Sequence, residues 1–361
     1  MSIHFHKLSI KEIRKETPEC VSIAFDIPES LTKTFQFTHG QNITLKSIID
    51  GEEIRRSYSI CSSPLDNELR VAVKKVEAGK FSTHANHQLK EGDIIEVLPP
   101  TGKFNTSLDN KQAKNYIAFV AGSGITPVLS IIKTTLQTEP NSSFTLIYGN
   151  RNRSAIIFKE ELEGLKNKYI DRFRIYHILS REKTDSAINY GRIDKEKCDA
   201  LTKLIDIKNG DEFFLCGPEA MIFAVKDFLE LNGIDKKNIH FELFTTSTEK
   251  KATLHRDESV GTSVVEEKAC NVTVKQDGVS FNFELPYNSQ SILEAALEQG
   301  ADVPYSCKGG MCCTCKAKLL EGEVEMDVNY TLEQDEIDAG FILTCQSHPR
   351  TEKVVVDYDV K

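Results

Sequence analysis

The stretch Cys307–Cys315 reads CKGGMCCTC, and one more cysteine, Cys345, follows thirty residues later. Cys307, Cys312 and Cys315 stand in C-x4-C-x2-C spacing, the plant-type pattern for a [2Fe-2S] cluster. Two irons need four soft ligands at one place, and one tight loop delivers only three. The chain must therefore fold back, and Cys345 is the expected fourth ligand. This predicts a C-terminal electron-carrying domain with Cys307, Cys312, Cys315 and Cys345 as metal ligands. Cys313 adjoins a ligand, and only the spacing favours Cys312 over it. Zinc would favour two C-x2-C knuckles, and here there is one. A disulfide framework suits a short secreted chain, whereas this one is long and begins MSIHFHKLSI, without an apolar signal segment.

The chain has 361 residues, 40% of them hydrophobic, which suggests two or three domains. No run of eighteen apolar residues occurs, so no membrane span is expected. Ten cysteines without a signal segment point to a reducing, cytoplasmic setting. The six outside the ligand set, Cys20, Cys61, Cys198, Cys216, Cys270 and Cys313, read mostly as small core hydrophobes. The net charge of −9 is concentrated: residues 267–361 hold 8 Lys+Arg against 17 Asp+Glu, and the remainder balances. Such a carrier suits a basic partner surface, or its acidity serves solubility alone. Nucleic acid is not an expected partner for a chain of this sign.

Residues 1–108 read as short strands with turn signals (VSIAFDI, QNITLKSI, LRVAVKKV, DIIEVLPP), a small antiparallel β-barrel. Residues 112–245 alternate strand and helix, which predicts a parallel sheet covered on both faces. YIAFVAG, FTLIYGN, RFRIYHILS, EFFLCG and IHFELF are its strands. One helix is expected to open with Thr126 as N-cap and Pro127 as first residue. Another spans Phe158 to Tyr169, and a third starts at Pro218 and stops at Gly233. Residues 246–266 are polar, without periodicity, and read as a linker. Residues 267–361 resume with strands NVTVKQ and VSFNFEL. A helix capped by a Ser291/Glu294 box follows, then the cysteine loop. A second box is expected at Thr331/Gln334, and Cys345 at a strand start.

Four upstream stretches could hold phosphate-bearing ligands. GSGITP, Gly122–Pro127, follows a strand and opens a helix, so its N–H groups face an incoming anion; the pattern is G-x-G-x-x-P, not the dinucleotide fingerprint. CGPEAM, Cys216–Met221, repeats the strand-turn-helix context, and ligands of open parallel sheets bind at such strand ends. In RRSYSICSSP, Arg56 and Tyr58 share one face of a predicted strand, and Ser57 and Ser59 the other. Arginine matches phosphate and tyrosine stacks on flat rings. GKFST, from Gly79, could open a short helix at a pyrophosphate. Each of these alone is also compatible with an ordinary strand or turn.

Taken in order, Arg56-x-Tyr58-Ser59, Gly79-x-x-Ser82, GSGITP and CGPEAM resemble the ferredoxin–NADP reductase superfamily. With the cysteine loop placed C-terminally, the chain is similar to reductase components of multicomponent oxygenases. The doubled Cys312-Cys313 most resembles the branch that serves phenylacetyl-CoA epoxidase. The resemblance implies an FAD-binding barrel, an NAD(P)-binding α/β domain and a β-grasp-like [2Fe-2S] ferredoxin domain. It implies that Arg56, Ser57, Tyr58 and Ser59 hold the flavin, Tyr58 against its ring and Ser59 near its reactive nitrogen. Gly79, Lys80, Phe81 and Ser82 would bind the FAD pyrophosphate. Gly122, Gly124, Thr126 and Pro127, with Cys216, Gly217 and Pro218, would bracket the nicotinamide nucleotide, Cys216 near its reactive carbon. Ser180 and Arg181 resemble the family's 2′-phosphate grip, favouring NADPH over NADH. Phe244 would lie beside the flavin. Ser59 and Cys216 are the implied catalytic pair.

The function this implies is electron transfer from NADPH through FAD and [2Fe-2S] to an oxygenase component, by resemblance the phenylacetyl-CoA epoxidase of phenylacetate catabolism. The alternatives are the reductase of a Rieske or other ring or lipid hydroxylase, and, in a different class, a redox-sensing iron–sulfur module.

Overall fold

The computed structural model describes residues 4–244, 269–287 and 289–360. The expected linker, 246–266, lies outside them. The chain divides into two compact units, Phe5–Phe244 and a second containing residues 245–361. Each is taken by itself.

The first unit begins with β1 (His6–Thr17), β2 (Cys20–Asp26), β3 (Asn42–Ile49), β4 (Glu52–Ser59), β5 (Leu69–Lys74), α1 (Lys80–His87) and β6 (Ile94–Val97). The strands form one antiparallel sheet in the order β4-β3-β6-β1-β2-β5. A bridge between Ile60 and Val71 joins its two edges, so the sheet closes into a barrel. Its interior holds Leu8, Ile10, Ile23, Ile43, Leu45, Val71 and Val97, all buried. Strand β1 is not evident in the sequence. Register shifts between Ile10 and Glu12 and between Lys15 and Thr17 interrupt the two-residue alternation that marks a strand.

The chain continues through β7 (Asn115–Ala121), α2 (Ile125–Thr138), β8 (Ser143–Asn150), α3 (Lys159–Lys168), β9 (Phe173–Leu179), α4 (Lys195–Leu201), β10 (Glu212–Gly217), α5 (Glu219–Leu231) and β11 (Ile239–Leu243). The sheet order is β11-β10-β7-β8-β9, every pair parallel. Val128, Leu129, Ile131, Ile132 and Leu136 of α2 are at most 2% exposed, each such burial contributing about 1.5–3 kcal/mol. Thr126 is not the N-cap of α2. The helix starts two residues earlier, at Ile125 rather than Pro127, because a single turn at Gly122–Gly124 feeds it directly and Gly124 becomes the cap. Thr126 Oγ1 instead donates to Ser123 O at 3.0 Å. Phe158 caps α3 from outside, at φ 59°, while its ring stays buried. Pro218 likewise caps α5, and Gly233 follows its end at φ 85°. Helix α4 has seven residues and two buried side chains, too little for a visible period.

Barrel and sheet are tied together. Ser130 Oγ donates to Ser62 O at 2.6 Å, and the Ser63 and Thr134 hydroxyls lie 2.9 Å apart. Lys133 joins Asp66 and Glu161, each at 2.6 Å.

The second unit contains β12 (Ala269–Gln276), β13 (Val279–Pro286), α6 (Ile292–Glu298), β14 (Lys316–Glu321), β15 (Val324–Met326), α7 (Gln334–Asp338), β16 (Phe341–Leu343), β17 (Ser347–Pro349) and β18 (Lys353–Asp357). Its main sheet runs β13-β12-β18-β14-β16, with β12 and β18 parallel and the rest antiparallel; β15 and β17 pair separately. Helix α6 packs Ile292, Leu293, Ala295 and Ala296 into the core, and Ser291 caps it by accepting from Glu294 N. Two expectations are corrected. The box before α7 is Glu333/Glu336, not Thr331/Gln334. Asn329 takes up the Thr331 and Leu332 amides instead, which moves the helix start. Cys345 lies between β16 and β17 rather than at a strand start, because Gln346 N turns back to Leu343 O at 2.9 Å.

Candidate functional site

The cysteine loop leaves α6 and ends at β14, and the turn after β16 brings the chain back to it. The loop turns through two left-handed non-glycine residues, Lys308 at φ 50° and Cys313 at φ 52°. Gly310, at φ 75°, packs against Val328: a Cβ there would stand 3.0 Å from Val328 O. Four thiols meet in two hydrogen-bonded pairs, Cys307 with Cys312 and Cys315 with Cys345. In each pair one sulfur, Cys312 in the first and Cys345 in the second, is held toward thiolate by its partner's proton. The donating thiols, Cys307 and Cys315, are raised by the same bonds. Cys307 Sγ accepts from Gly309 N and Met311 N, both at 3.4 Å. Gln346 Nε2 reaches Cys345 Sγ at 3.5 Å. Donors aimed at sulfur suit metal-bound thiolates. Among the described residues no three His, Cys, Asp or Glu side chains close around one ion; two pairs fit a two-iron group. Cys313 turns the other way, its sulfur 2.8 Å from Thr331 Oγ1.

On the barrel, β4 carries the expected flavin residues. The Tyr58 ring packs on Phe81 of α1 at 5.5 Å between centroids, and burial pushes its phenol upward. Arg56 is exposed, its Nη1 donating to Arg55 O at 2.7 Å. The Ser57 hydroxyl is 3.2 Å from that of Thr44. Gly79 caps α1. Ser82 Oγ donates to Gly79 O and accepts from Val76 N, so it shapes this turn. Lys80 pairs with Glu52. Ser59 is buried and donates to Glu242 Oε2 of β11 at 3.1 Å. Glu242 carries no signal in the sequence beyond its place in the strand IHFEL.

The remaining residues gather along the carboxyl edge of the parallel sheet. Gly124 brings the β7 turn against β10, where a Cβ would stand 2.2 Å from Cys216 O. Cys216 pairs with Val120 on one side and Glu242 on the other. It is fully buried, and burial first, then Glu242, keeps its sulfur a neutral thiol. Gly217 leaves room for Met221, whose Cε would lie 2.8 Å from a Cβ there. Pro127, like Thr126, is buried. Ser180 and Arg181 follow β9. Ser180 N reaches Asn150 O at 2.9 Å, and Arg181 N reaches Arg151 O at 2.8 Å, which sets two exposed arginines side by side. Lys74, from the barrel, also comes here: its Nζ would be 3.5 Å from a Cβ on Gly122. Burial, then Arg151, lowers its pKa. Lys74 and Arg151 carry no signal in the sequence, because they meet only in the fold. Phe244 is 40% exposed. Glycine turns, cations and donors on one edge fit a phosphate-bearing nucleotide.

Comparison with known proteins agrees with this layout. Residues 7–106 match the oxidoreductase FAD-binding domain, 119–227 the oxidoreductase NAD-binding domain, and 274–350 the 2Fe-2S iron-sulfur cluster binding domain. One component of the 1,2-phenylacetyl-CoA epoxidase of Escherichia coli is 45% identical over 99% of this chain and 98% of its own length. The ferredoxin reductase component of the Rhodococcus rhodochrous 3-ketosteroid-9-alpha-monooxygenase is 32% identical over 97% and 96%. Among solved structures, phthalate dioxygenase reductase matches with TM-score 0.58 and 25% identity over 98% of both chains. No helix among the described residues is long and apolar enough to cross a membrane.

Proposed function

The chain belongs to the oxygenase-reductase branch of the ferredoxin–NADP reductase superfamily, and from that premise we propose that it draws electrons from NADPH and delivers them to a phenylacetyl-CoA epoxidase. The observation that carries the acceptor is the 45% identity to a component of such an epoxidase over essentially the full length of both chains. When bound, FAD and the [2Fe-2S] cluster supply the conversion of a two-electron hydride donor into single-electron delivery. The protein's own groups bind and orient. Tyr58 and Ser59 hold the flavin, Arg56 its phosphates, and Gly79–Ser82 the pyrophosphate turn. Gly122, Gly124 and the Cys216–Pro218 turn receive the nicotinamide nucleotide, with Thr126 and Pro127 supporting the first turn from behind. Cys216, kept a neutral thiol, offers bulk and a weak donor without a competing charge. Ser59, held by Glu242, keeps its hydroxyl oriented at the same seam.

NADPH over NADH is supported by Arg181 and Ser180 at the end of β9, beside Arg151. Cys307, Cys312, Cys315 and Cys345 are the proposed cluster ligands, supported by their pairing. A cytoplasmic setting is supported by ten free thiols. The test is reconstitution. The purified chain, mixed with the oxygenase component of the Escherichia coli epoxidase, phenylacetyl-CoA and NADPH, should consume NADPH only when phenylacetyl-CoA is present. Normal ferricyanide reduction with no substrate-dependent consumption would remove the epoxidase as acceptor and turn attention to the ketosteroid monooxygenase type.

A further inference from the structure

Beside the pair Cys315–Cys345 lies a phenol that none of the roles above employs. Tyr358 follows β18, anchored where its N–H donates to Lys275 O at 2.9 Å. Its hydroxyl is 2.6 Å from Thr344 Oγ1. Thr344, fully buried, directly precedes Cys345. Its Oγ1 donates to Cys315 O at 3.1 Å, and its N–H reaches the same carbonyl at 3.2 Å. A threonine hydroxyl has one proton. With that proton on Cys315 O, Thr344 Oγ1 can only accept from Tyr358. The direction is therefore fixed: Tyr358 O–H to Thr344 Oγ1, and Thr344 O–H to the Cys315 carbonyl.

We propose that Tyr358 is a positioning residue for the iron–sulfur centre, acting through Thr344 to fix Cys315 against Cys345 and to set the centre's reduction potential. The inference rests on the reading of the four cysteines as cluster ligands. Hydrogen bonds in series polarise one another in a dry interior, and bonds behind the ligands tune a metal's potential. A donor chain ending on a ligand's carbonyl draws negative charge away from the centre and favours the reduced state. Loss of the phenol hydroxyl should lower the potential.

The experiment uses the full-length chain reconstituted with iron and sulfide, read by redox titration and by electron paramagnetic resonance of the reduced centre. Wild type that shows no [2Fe-2S] signature overturns the ligand reading beneath the inference. Given that signature, Y358F and T344V should each lower the potential and change the resonance anisotropy, and T344S should match wild type. The double variant Y358F/T344V should shift no further than T344V, since the phenol acts only through the threonine. NADPH–ferricyanide activity should stay at the wild-type rate in Y358F. A Y358F centre with wild-type potential and spectrum, or additive shifts in the double variant, overturns the inference. Should Y358F fail to fold, the T344S and T344V pair decides: equal potentials in the two overturn it.

Discussion

In the proposed function, a single arginine at the end of β9 carries the choice between the two nicotinamide nucleotides. Arg181 is exposed, its backbone is tied to Arg151, and among the described residues no acid pairs with its side chain. A guanidinium fork on the nucleotide-binding edge matches a phosphate monoester. Such a charge-assisted bond is worth about 1.5–3 kcal/mol. Arg181→Ala should therefore reduce kcat/KM for NADPH roughly ten- to a hundredfold, through KM, and leave NADH nearly unchanged. Steady-state kinetics with both nucleotides checks this; equal losses would show that the arginine does not read the 2′-phosphate. The same scale shows where sequence reading stops. Arg181 stands in a short pattern, LSRE, and is visible. Glu242 and Lys74 are not, because each gains meaning only from a neighbour far along the chain: Ser59 for the first, Gly122 for the second.

Turns between elements set how closely the barrel, the nucleotide turn and β10 approach. Gly124 has an ordinary helical φ of −59°, so its constraint is space rather than backbone freedom. Its missing Cβ would fall 2.2 Å from the Cys216 carbonyl oxygen, and neither backbone can yield cheaply. Gly124→Ala should destabilise the first unit by about 1–3 kcal/mol and weaken nucleotide binding as the two turns part. Gly164→Ala, on α3 with nothing within 4 Å of the added atom, is the control and should be neutral or stabilising by about 0.4–1 kcal/mol. Denaturant unfolding of both variants separates the cases; similar behaviour would mean that the close approach is not needed. Elements with long apolar runs are legible for a related reason. β7, α2 and β10 bury nearly every side chain, so composition alone declares them. β1 and α4 are not, since bulges break the alternation of one and the other buries only two residues. The start of α2 and the box before α7 are displaced because a turn and an asparagine take the hydrogen bonds the sequence offers to Thr126 and Thr331.

At the scale of the whole chain, the two compact units build their cores from separate stretches of sequence. The barrel and the parallel sheet draw their buried residues from within 5–244, and the C-terminal sheet draws its own from 269–360. The charge divides in the same way, with the excess of acids confined to residues 267–361, which suits steering onto a basic partner surface in the proposed function. Units with independent cores can lose function independently. Cys315 is 3% exposed and its thiol is hydrogen-bonded to Cys345, so Cys315→Ser replaces a proposed soft ligand by a hard one within an otherwise intact core. The variant should lose the cluster, and with it substrate-coupled turnover by the oxygenase. It should keep NADPH–ferricyanide activity close to wild type, because that acceptor can be served from the flavin. Iron and sulfide content, the visible spectrum and the two activities measured side by side check this. Loss of ferricyanide reduction together with the cluster would mean that the first unit depends on the second for its working structure.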